Sequence, residues 1–255
     1  SVSSDPNTAN KFVIAYKDAG NSNYGTAVVG TLSGTSISLG SEYVFNTAAT
    51  DYISASCDPN TANKYVISYR GTSNYGRAIV GTVSGTSISF GTEAVFNAGN
   101  LSFITSSFDK NTANKFVVAY QDSVNSNFGT AIIGTVSGTG ISFGTEVVFN
   151  SAASIKLSVS FDPDIANKFV VAYADAGGVA YNAGTVNLGT VSGTSISYSA
   201  KSVFESTGQA DFNSLSFDPN TSGRFVVAFN DETNSNYGTA IVGNLSDALT
   251  IGSNY

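Results

Sequence analysis

The chain has 255 residues, of which 42% are hydrophobic and only 11% charged, and its formal net charge is −7. This composition supplies ample core material and excludes a disordered chain or a coiled coil. The 11 lysines and arginines are spread thinly, so no basic patch is available for phosphates and nucleic acid is not an expected partner. No apolar stretch is long enough to cross a bilayer, so membrane insertion is not expected either.

One unit of about fifty residues recurs five times along the chain. Its signature, Asp-Pro-Asn-Thr-Ala-Asn-Lys with substitutions, starts at Asp5, Asp58, Asp109, Asp162 and Asp218. The copies span about residues 1–53, 54–104, 105–157, 158–212 and 213–255. A fixed period of this length indicates a repeat architecture, and we treat residues 1–255 as one domain.

Each copy contains four short β-rich runs, which in the third copy are Thr105–Phe108, Lys115–Tyr120, Gly129–Val136 and Ile141–Phe149. We name them strands a, b, c and d. In strand b, Phe116 and Val118 alternate with Val117 and Ala119, so both faces of the sheet are apolar and need cover.

Packing each sheet between two others satisfies this need, and a closed ring leaves only short edges exposed. The sequence therefore predicts an all-β, five-bladed β-propeller with four antiparallel strands per blade. Other β-repeat arrays are the alternative, although a solenoid would need shorter units. The last copy ends early, so its outer strand d is predicted to be short, and the ring is expected to close by packing between the first and last blades.

Substitutions between copies predict backbone conformation in the turns. Asn10, Asn63, Asn114 and Asn167 give way to Gly223 in the last copy, and Asn and Gly are the residues that most readily adopt positive φ. The glycines between strands c and d, replaced once by Asp247, follow the same logic: Gly34, Gly85, Gly138 and Gly193. Both positions are predicted to be left-handed.

Several strings carry a resemblance to known proteins. The Ser-x-Ser-Phe-Asp-Pro, Lys-Phe-Val-Val-Ala-Tyr and Gly-Thr-x-Ile-Ser-Phe-Gly-Thr segments resemble generic propeller blades, including those of sialidase-like and lectin propellers. The strings Asn-Ser-Asn-Tyr-Gly-Thr-Ala and Gly-Thr-Val-Ser-Gly-Thr-Ser-Ile-Ser-Phe-Gly resemble repeats of bacteriophage structural proteins from marine sources. The resemblance implies a propeller in a virion or extracellular setting, and it carries over no catalytic residue.

The residue inventory argues against catalysis. The chain has no histidine and one cysteine, so a Ser-His-Asp triad and a Cys/His zinc site are impossible. Cys57 aligns with Ser4, Phe108, Phe161 and Phe217, which indicates a packing position. The acidic residues recur between copies, as in Glu42, Glu93 and Glu146, whereas catalytic centres have one residue per role. We predict no catalytic residues, no cofactor and no enzyme; a two-carboxylate glycosidase is the alternative.

Weak calcium binding is a further possibility at the loops between strands b and c. Asp18, Asp122 and Asp231 each precede two asparagines on one loop. Calcium takes six to eight oxygen ligands, and Asx turns account for the same residues, so no metal site is predicted.

Two binding hypotheses follow from the loops. If recognition is multivalent, each blade offers the same Asn-aromatic site, built from Asn23 and Tyr24, Asn74 and Tyr75, Asn127 and Phe128, Tyr181, and Asn236 and Tyr237. Alternatively, these aromatic rings belong to the core between blades. If recognition is singular, the variable b–c and d–a loops form the site, with Asp51, Tyr52, Phe103, Lys156 and Phe212.

The sequence thus favours a non-enzymatic binding or display module for glycans or a host-surface receptor. We expect it on a virion surface or outside the cell, as part of a larger polypeptide or assembly. The alternative is a purely structural scaffold domain.

Overall fold

The computed structural model describes residues 1–177, 182–245 and 249–252. In these ranges the chain forms 22 β-strands, and its one helical segment is the 3-10 turn Thr72–Asn74. All of the described strand pairs are antiparallel. The all-β class predicted from the sequence is confirmed, and none of the described residues lies in a helix that could span a membrane.

The strands lie in four sheets, and we name the parts that contain the five copies of the repeat blades one to five; the nine-stranded sheet contains both blade three and blade four. Blade one contains β1 (Val2–Ser4), β2 (Lys11–Asp18), β3 (Tyr24–Ser33) and β4 (Ser36–Ala49). Blade two contains β5 (Asp51–Cys57), β6 (Lys64–Arg70), β7 (Gly76–Ser84), β8 (Ser87–Phe90) and β9 (Ala94–Asn97). Blade three contains β10 (Leu101–Phe108), β11 (Lys115–Asp122), β12 (Phe128–Ser137), β13 (Gly140–Phe143) and the start of β14 (Val147–Phe161).

Blade four contains the remainder of β14, β15 (Lys168–Asp175), β16 (Ala183–Ser192), β17 (Ser195–Tyr198) and β18 (Ser202–Glu205). Blade five contains β19 (Ala210–Phe217), β20 (Arg224–Asp231), β21 (Tyr237–Asn244) and β22 (Thr250–Ile251). Strand d of blade five is described at Thr250–Ile251, and the residues after Gly252 lie outside the described ranges, so its predicted shortness stays a prediction.

Strand d differs from its prediction in the middle blades. In blades two to four it consists of two pieces that both pair with strand c, such as β13 and the start of β14. The d–a loop predicted after strand d of the third copy is extended backbone instead, because the segment Ser151–Leu157 lies within β14. This long strand pairs with β12 up to Ala153 and with β15 from Ser154 onward, because extended backbone carries the chain from one sheet to the next without losing hydrogen bonds.

The core lies between blades, as the two apolar faces of strand b predict. Phe116, Val118 and Tyr120 pack in a cluster with residues of blade two, whereas Val117 and Ala119 pack with residues of blade four. The described residues form four such clusters, joining blades one and two, two and three, three and four, and four and five. The blades therefore stack side by side in the manner of a β-propeller.

The turn predictions agree with the backbone. Asn10, Asn63, Asn114, Asn167 and Gly223 have φ between 62° and 73°. Gly34, Gly85, Gly138 and Gly193 have φ between 58° and 64°, and Asp247 lies outside the described residues. Left-handed geometry at both positions is confirmed.

The repeat signature joins neighbouring blades by hydrogen bonds. Asn7, Asn60 and Asn111 donate from their side-chain amides to the backbone carbonyls of Asp58, Asp109 and Asp162 of the next blade, at 3.3–3.4 Å. Lys11, Lys64 and Lys115 donate from Nζ to the carbonyls of the next c–d turn, at Gly85, Gly138 and Gly193. The signature is therefore a connector between blades, and this explains its recurrence without invoking a ligand.

The serines of strand a form a second set of links. Ser3 Oγ accepts a hydrogen bond from Cys57 N at 2.9 Å, and Ser56 Oγ accepts one from Phe108 N at 3.2 Å. Two residues earlier in strand a, Ser54 Oγ accepts a hydrogen bond from Ser106 N, and Ser158 Oγ accepts one from Leu215 N, both at 3.0 Å. Strand a pairs with strand b along one edge only, so serine hydroxyls of the preceding blade satisfy the N–H groups on its other edge.

Candidate functional site

The predicted multivalent sites lie at the turns between strands b and c. Asn23, Asn74, Asn127 and Asn236 have φ between 60° and 64°, and in each turn the serine before them also has positive φ. The backbone carbonyl of Asn23 accepts a hydrogen bond from Thr50 N, and that of Asn127 accepts one from Ser154 N. These asparagines therefore shape the turn and anchor the segment that enters the next blade.

The aromatic residues that follow these asparagines lie on four different blades. Tyr24, Tyr75 and Phe128 are half-buried, whereas the Tyr237 side chain is 65% exposed. None of the four belongs to the core clusters of the described residues, so they are not inter-blade core. Tyr181 lies outside the described residues. The structure places these Asn-aromatic pairs one to a blade, and their role in binding stays a prediction.

The acidic residues of the b–c loops are engaged by their own backbone. Asp18 Oδ1 accepts hydrogen bonds from Gly20 N and Asn21 N, and Asp122 Oδ1 accepts from Val124 N and Asn125 N, all within 3.3 Å. These are Asx turns. In the part of the chain that the structure describes, no three residues among Asp, Glu, His and Cys come together as a metal site would need. Calcium binding stays untested.

The glutamates of strand d are engaged in a similar way. The Tyr16 hydroxyl donates to Glu42, and Glu93 accepts from the Tyr69 hydroxyl and from Arg77. Burial, followed by the Glu93 hydrogen bond, raises the pKa of Tyr69 far above its usual range. Burial likewise raises the pKa of the Cys57 thiol, in keeping with its predicted packing position.

A different set of residues forms one continuous row. Tyr52, Phe103, Lys156 and Phe212 occupy the same position in blades two to five, at the start of strand a, and their φ values are 49°, 53°, 54° and 56°. At each of them the pairing with strand b shifts register, so each residue sits in a β-bulge. Positive φ is costly for residues with bulky side chains, so four equivalent instances point to a selected geometry.

The bulges bring these side chains into contact with each other. The rings of Tyr52 and Phe103 are 5.5 Å apart between centroids. Lys156 Nζ lies 5.7 Å from the Phe103 ring centroid and 4.4 Å from that of Phe212. At the other end, Arg70 Cζ lies 4.7 Å from the Tyr52 centroid. We call these five residues the rim row, because strand a begins on the side of the blades that carries the b–c turns.

Asp51 holds the Arg70 end of the rim row. Its carboxylate pairs with Arg70 Nη2 at 2.8 Å and with Lys17 Nζ at 2.9 Å, so it joins blades one and two. Hydrogen bonds from Arg70 and then Lys17 lower the pKa of Asp51 below its usual value. The ion pair fixes the guanidinium plane against Tyr52, while the Phe212 side chain at the far end is 70% exposed.

The opposite end of strand a lines a cavity of about 320 Å³. Its walls are the recurrent serines and phenylalanines of blades one to four together with Pro6, Pro59, Pro163 and Lys110. Most of these serines are already acceptors in the links between blades. The rim row, in contrast, offers aromatic faces and a cation that are not sealed by a neighbouring blade.

The row contains four of the five d–a residues that the singular-recognition hypothesis selected, together with Arg70, and the fifth, Asp51, pairs with Arg70. Asp51, Tyr52, Phe103, Lys156 and Phe212 were expected on one rim, and the structure brings them together. Arg70 was missed, because in the repeat alignment it replaces Lys17 and reads as an ordinary substitution at the end of strand b. Only the bulge at Tyr52 places the two side chains in contact.

No protein-family model matches this sequence, and no curated protein matches it. Similarity appears among solved structures. The BP39L lectin from Burkholderia pseudomallei is 13% identical, with a TM-score of 0.64 over 98% of this chain and 68% of that one. A six-bladed fungal lectin, Aleuria aurantia lectin, is 10% identical, with a TM-score of 0.60 over 96% of this chain and 73% of that one. At these identities the likeness shows the β-propeller fold.

An enzyme appears among the similar structures as well. A provisionally named 6-phosphogluconolactonase from Bacteroides uniformis is 11% identical, with a TM-score of 0.65 over 97% of this chain and 68% of that one. The fold is therefore shared by proteins with different functions, and function has to be argued from the site.

Proposed function

We propose that this chain is a non-enzymatic, carbohydrate-binding module of lectin type, and that the rim row is its binding surface. The observation that carries the proposal is the row itself: three aromatic rings, with Arg70 beside Tyr52 and Lys156 between Phe103 and Phe212, held by four equivalent bulges. Binding sites combine apolar and aromatic walls with a few placed polar groups. The likeness to lectin propellers supports the same ligand class.

The geometry suits an extended saccharide better than a small anion. Aromatic rings offer flat apolar surfaces to the C–H faces of sugar rings, while the cationic groups between and beside them can donate to hydroxyl or acidic groups. Because the row crosses blades two to five, its length fits several sugar units. The bulges and the Asp51 ion pairs fix the site in the folded chain. Binding therefore loses little further conformational entropy at these side chains.

The test is a glycan array followed by titration of the best ligand against two matched variants. Phe212 and Tyr237 are both highly exposed aromatics of blade five, one in the rim row and one in the predicted multivalent sites. We expect Phe212→Ala to weaken binding about tenfold, as loss of an aromatic contact in a binding site does, and Tyr237→Ala to leave it unchanged.

Other outcomes of the array and the titrations would point to another site or another function. Loss of binding in Tyr237→Ala alone moves the site to the Asn-aromatic turns. An array with no bound glycan favours the alternative of a structural scaffold. Turnover of glycosides by the wild-type chain would revive an enzymatic function.

We also propose that the module acts in attachment, displayed on a virion or outside a cell as part of a larger assembly. The resemblance of its repeats to bacteriophage structural proteins motivates this setting. Labelled chain is expected to bind intact host cells, and free ligand from the array is expected to compete; binding that no saccharide displaces would argue for a protein receptor.

A further inference from the structure

The face of blade five that points away from blade four is uncovered. Val226 is 41% exposed, whereas the residues at the same position in the other blades are all fully buried: Val13, Val66, Val117 and Val170. Its cross-strand partner Val242 is 40% exposed, against at most 1% for Val29, Val80 and Ile133. The face has the composition of an inter-blade core but lacks the next blade.

The face of blade one that points away from blade two is uncovered as well. Ile37 is 63% exposed, whereas its equivalents Ile88 and Ile196 are 2% and 8% exposed. Leu39 is exposed too, although the residues at its position in blades two to four pack against the preceding blade. Of the four core clusters of the described residues, none joins blade five to blade one. The packing of first against last blade that the sequence led us to expect is not found among the core clusters of the part of the chain that the structure describes.

The polar groups that link neighbouring blades elsewhere lie at the same two uncovered faces. Ser214 and Ser216 of blade five are exposed, at the positions whose hydroxyls accept from the next blade elsewhere. Arg224 replaces the lysine that reaches the next c–d turn, and it instead bonds its own Asp218 at 2.7 Å. Blade five thus presents the acceptors, and blade one presents the backbone N–H groups of Val2 and Ser4, whose equivalents in blades two to five are served by such acceptors.

We propose that the gap between blades five and one is a docking site for a sixth copy of this repeat, one four-stranded β-blade. The interface it would form already occurs four times between the blades of this chain, so its two faces are known to be complementary. Six is also the blade number of Aleuria aurantia lectin, on which 96% of this chain superposes.

In a ring of six positions, such as that of Aleuria aurantia lectin, a whole second copy of the chain would not fit this place. If its first blade packed on blade five with the repeated geometry, its second blade would fall on the position of blade one. A single blade avoids this clash because it contacts blade five through one face and blade one through the other. Closing the ring removes both exposed faces and the edges they leave.

The experiment compares the chain with an extended form that carries one more repeat. In the repeat alignment Tyr255 occupies the position of Ala94, so a second copy of residues 95–149 is appended directly after Tyr255. This insert supplies the rest of strand d and then a complete further blade. We expect the melting temperature to rise by at least about 5 °C, with a monomer of compact hydrodynamic radius, since two exposed apolar faces become buried.

Two charge substitutions, made in both forms, test both faces. Val226→Asp and Leu39→Asp should change the melting temperature of the original chain by no more than about 2 °C, since both side chains are partly solvated. In the extended form each should cancel most of the gain, because the charge would then be buried.

Three results would overturn the proposal. If the extension does not raise the melting temperature, the gap does not accept a blade. If Val226→Asp cancels the gain and Leu39→Asp does not, the repeats add to an open stack that never reaches blade one. If Val226→Asp strongly destabilises the original chain, that face is already covered, either by blade one or by a second copy, which light scattering distinguishes.

Discussion

The packing of strand d on strand c leads to a prediction with an internal control. Gly129 of strand c lies under the ring of Phe149, and a Cβ added there would stand 2.3 Å and 2.5 Å from Phe149 Cε2 and Cζ and 2.7 Å from Ser154 Oγ. Gly238 holds the same position in blade five, where the matching phenylalanine is missing, and a Cβ there meets nothing within 4 Å. Alanine should therefore have opposite effects at the two sites.

The magnitudes follow from two opposing terms. Alanine in a strand gains about 0.5–1 kcal/mol over glycine because the unfolded chain loses less entropy. Overpacking a rigid core costs about 1–3 kcal/mol, and Phe149 is buried against Tyr173 and Tyr198, so it cannot swing away. We expect Gly129→Ala to lower the free energy of unfolding by about 2 kcal/mol and Gly238→Ala to raise it by about 0.5 kcal/mol.

Urea unfolding followed by circular dichroism measures both variants. The double variant Gly129→Ala with Phe149→Leu should recover part of the loss, because the smaller side chain gives room to the new methyl group. Equal changes in stability for the two glycine variants would refute this assignment, since only at Gly129 do the Phe149 ring and Ser154 Oγ stand against the added methyl group.

Further expectations concern the links between blades and the rim row. Asn111→Ala should lower the free energy of unfolding by about 1 kcal/mol, as it removes the bond to Asp162 O, whereas the equivalent Asn220→Ala in blade five should cost only a few tenths; equal losses in urea titrations would refute the connector role. Asp51 has a lowered pKa, so its ion pairs stabilise the fold above the ordinary aspartate pKa of about 3.9, and this contribution fades as the pH falls through its lower folded value. Asp51→Asn should accordingly cost up to about 1 kcal/mol at pH 7 and nothing near pH 2, and a difference in melting temperature that persists in acid would contradict the assignment.

Much of the fold was accessible from local sequence patterns. The two apolar faces of strand b required neighbours on both sides, and the exchange of Asn for Gly revealed the left-handed turns at Asn114 and Gly223. These features depend on residues close together in the chain. The d–a segment was mistaken for a loop, because its low similarity between copies resembles that of an irregular connection, whereas β14 is continuous.

The candidate site was only partly accessible. Tyr52, Phe103, Lys156 and Phe212 could be selected as variable residues of one rim, but the contact between Arg70 and Tyr52 depends on a β-bulge that no local pattern marks. The Asn-aromatic turns recur more clearly in sequence, yet the structure gives their asparagines a backbone role and leaves their aromatics on separate blades.

By itself the sequence determined the repeat, the strand class and the stacking of blades, because each follows from side-chain period and turn chemistry within one unit. The tertiary structure decided whether the stack of blades closes into a ring. Curvature is set by small rotations summed over successive interfaces, and no single repeat records that sum. It is therefore the exposure of Val226 and Ile37, and not any motif, that shows two apolar faces of the stack of blades to be uncovered.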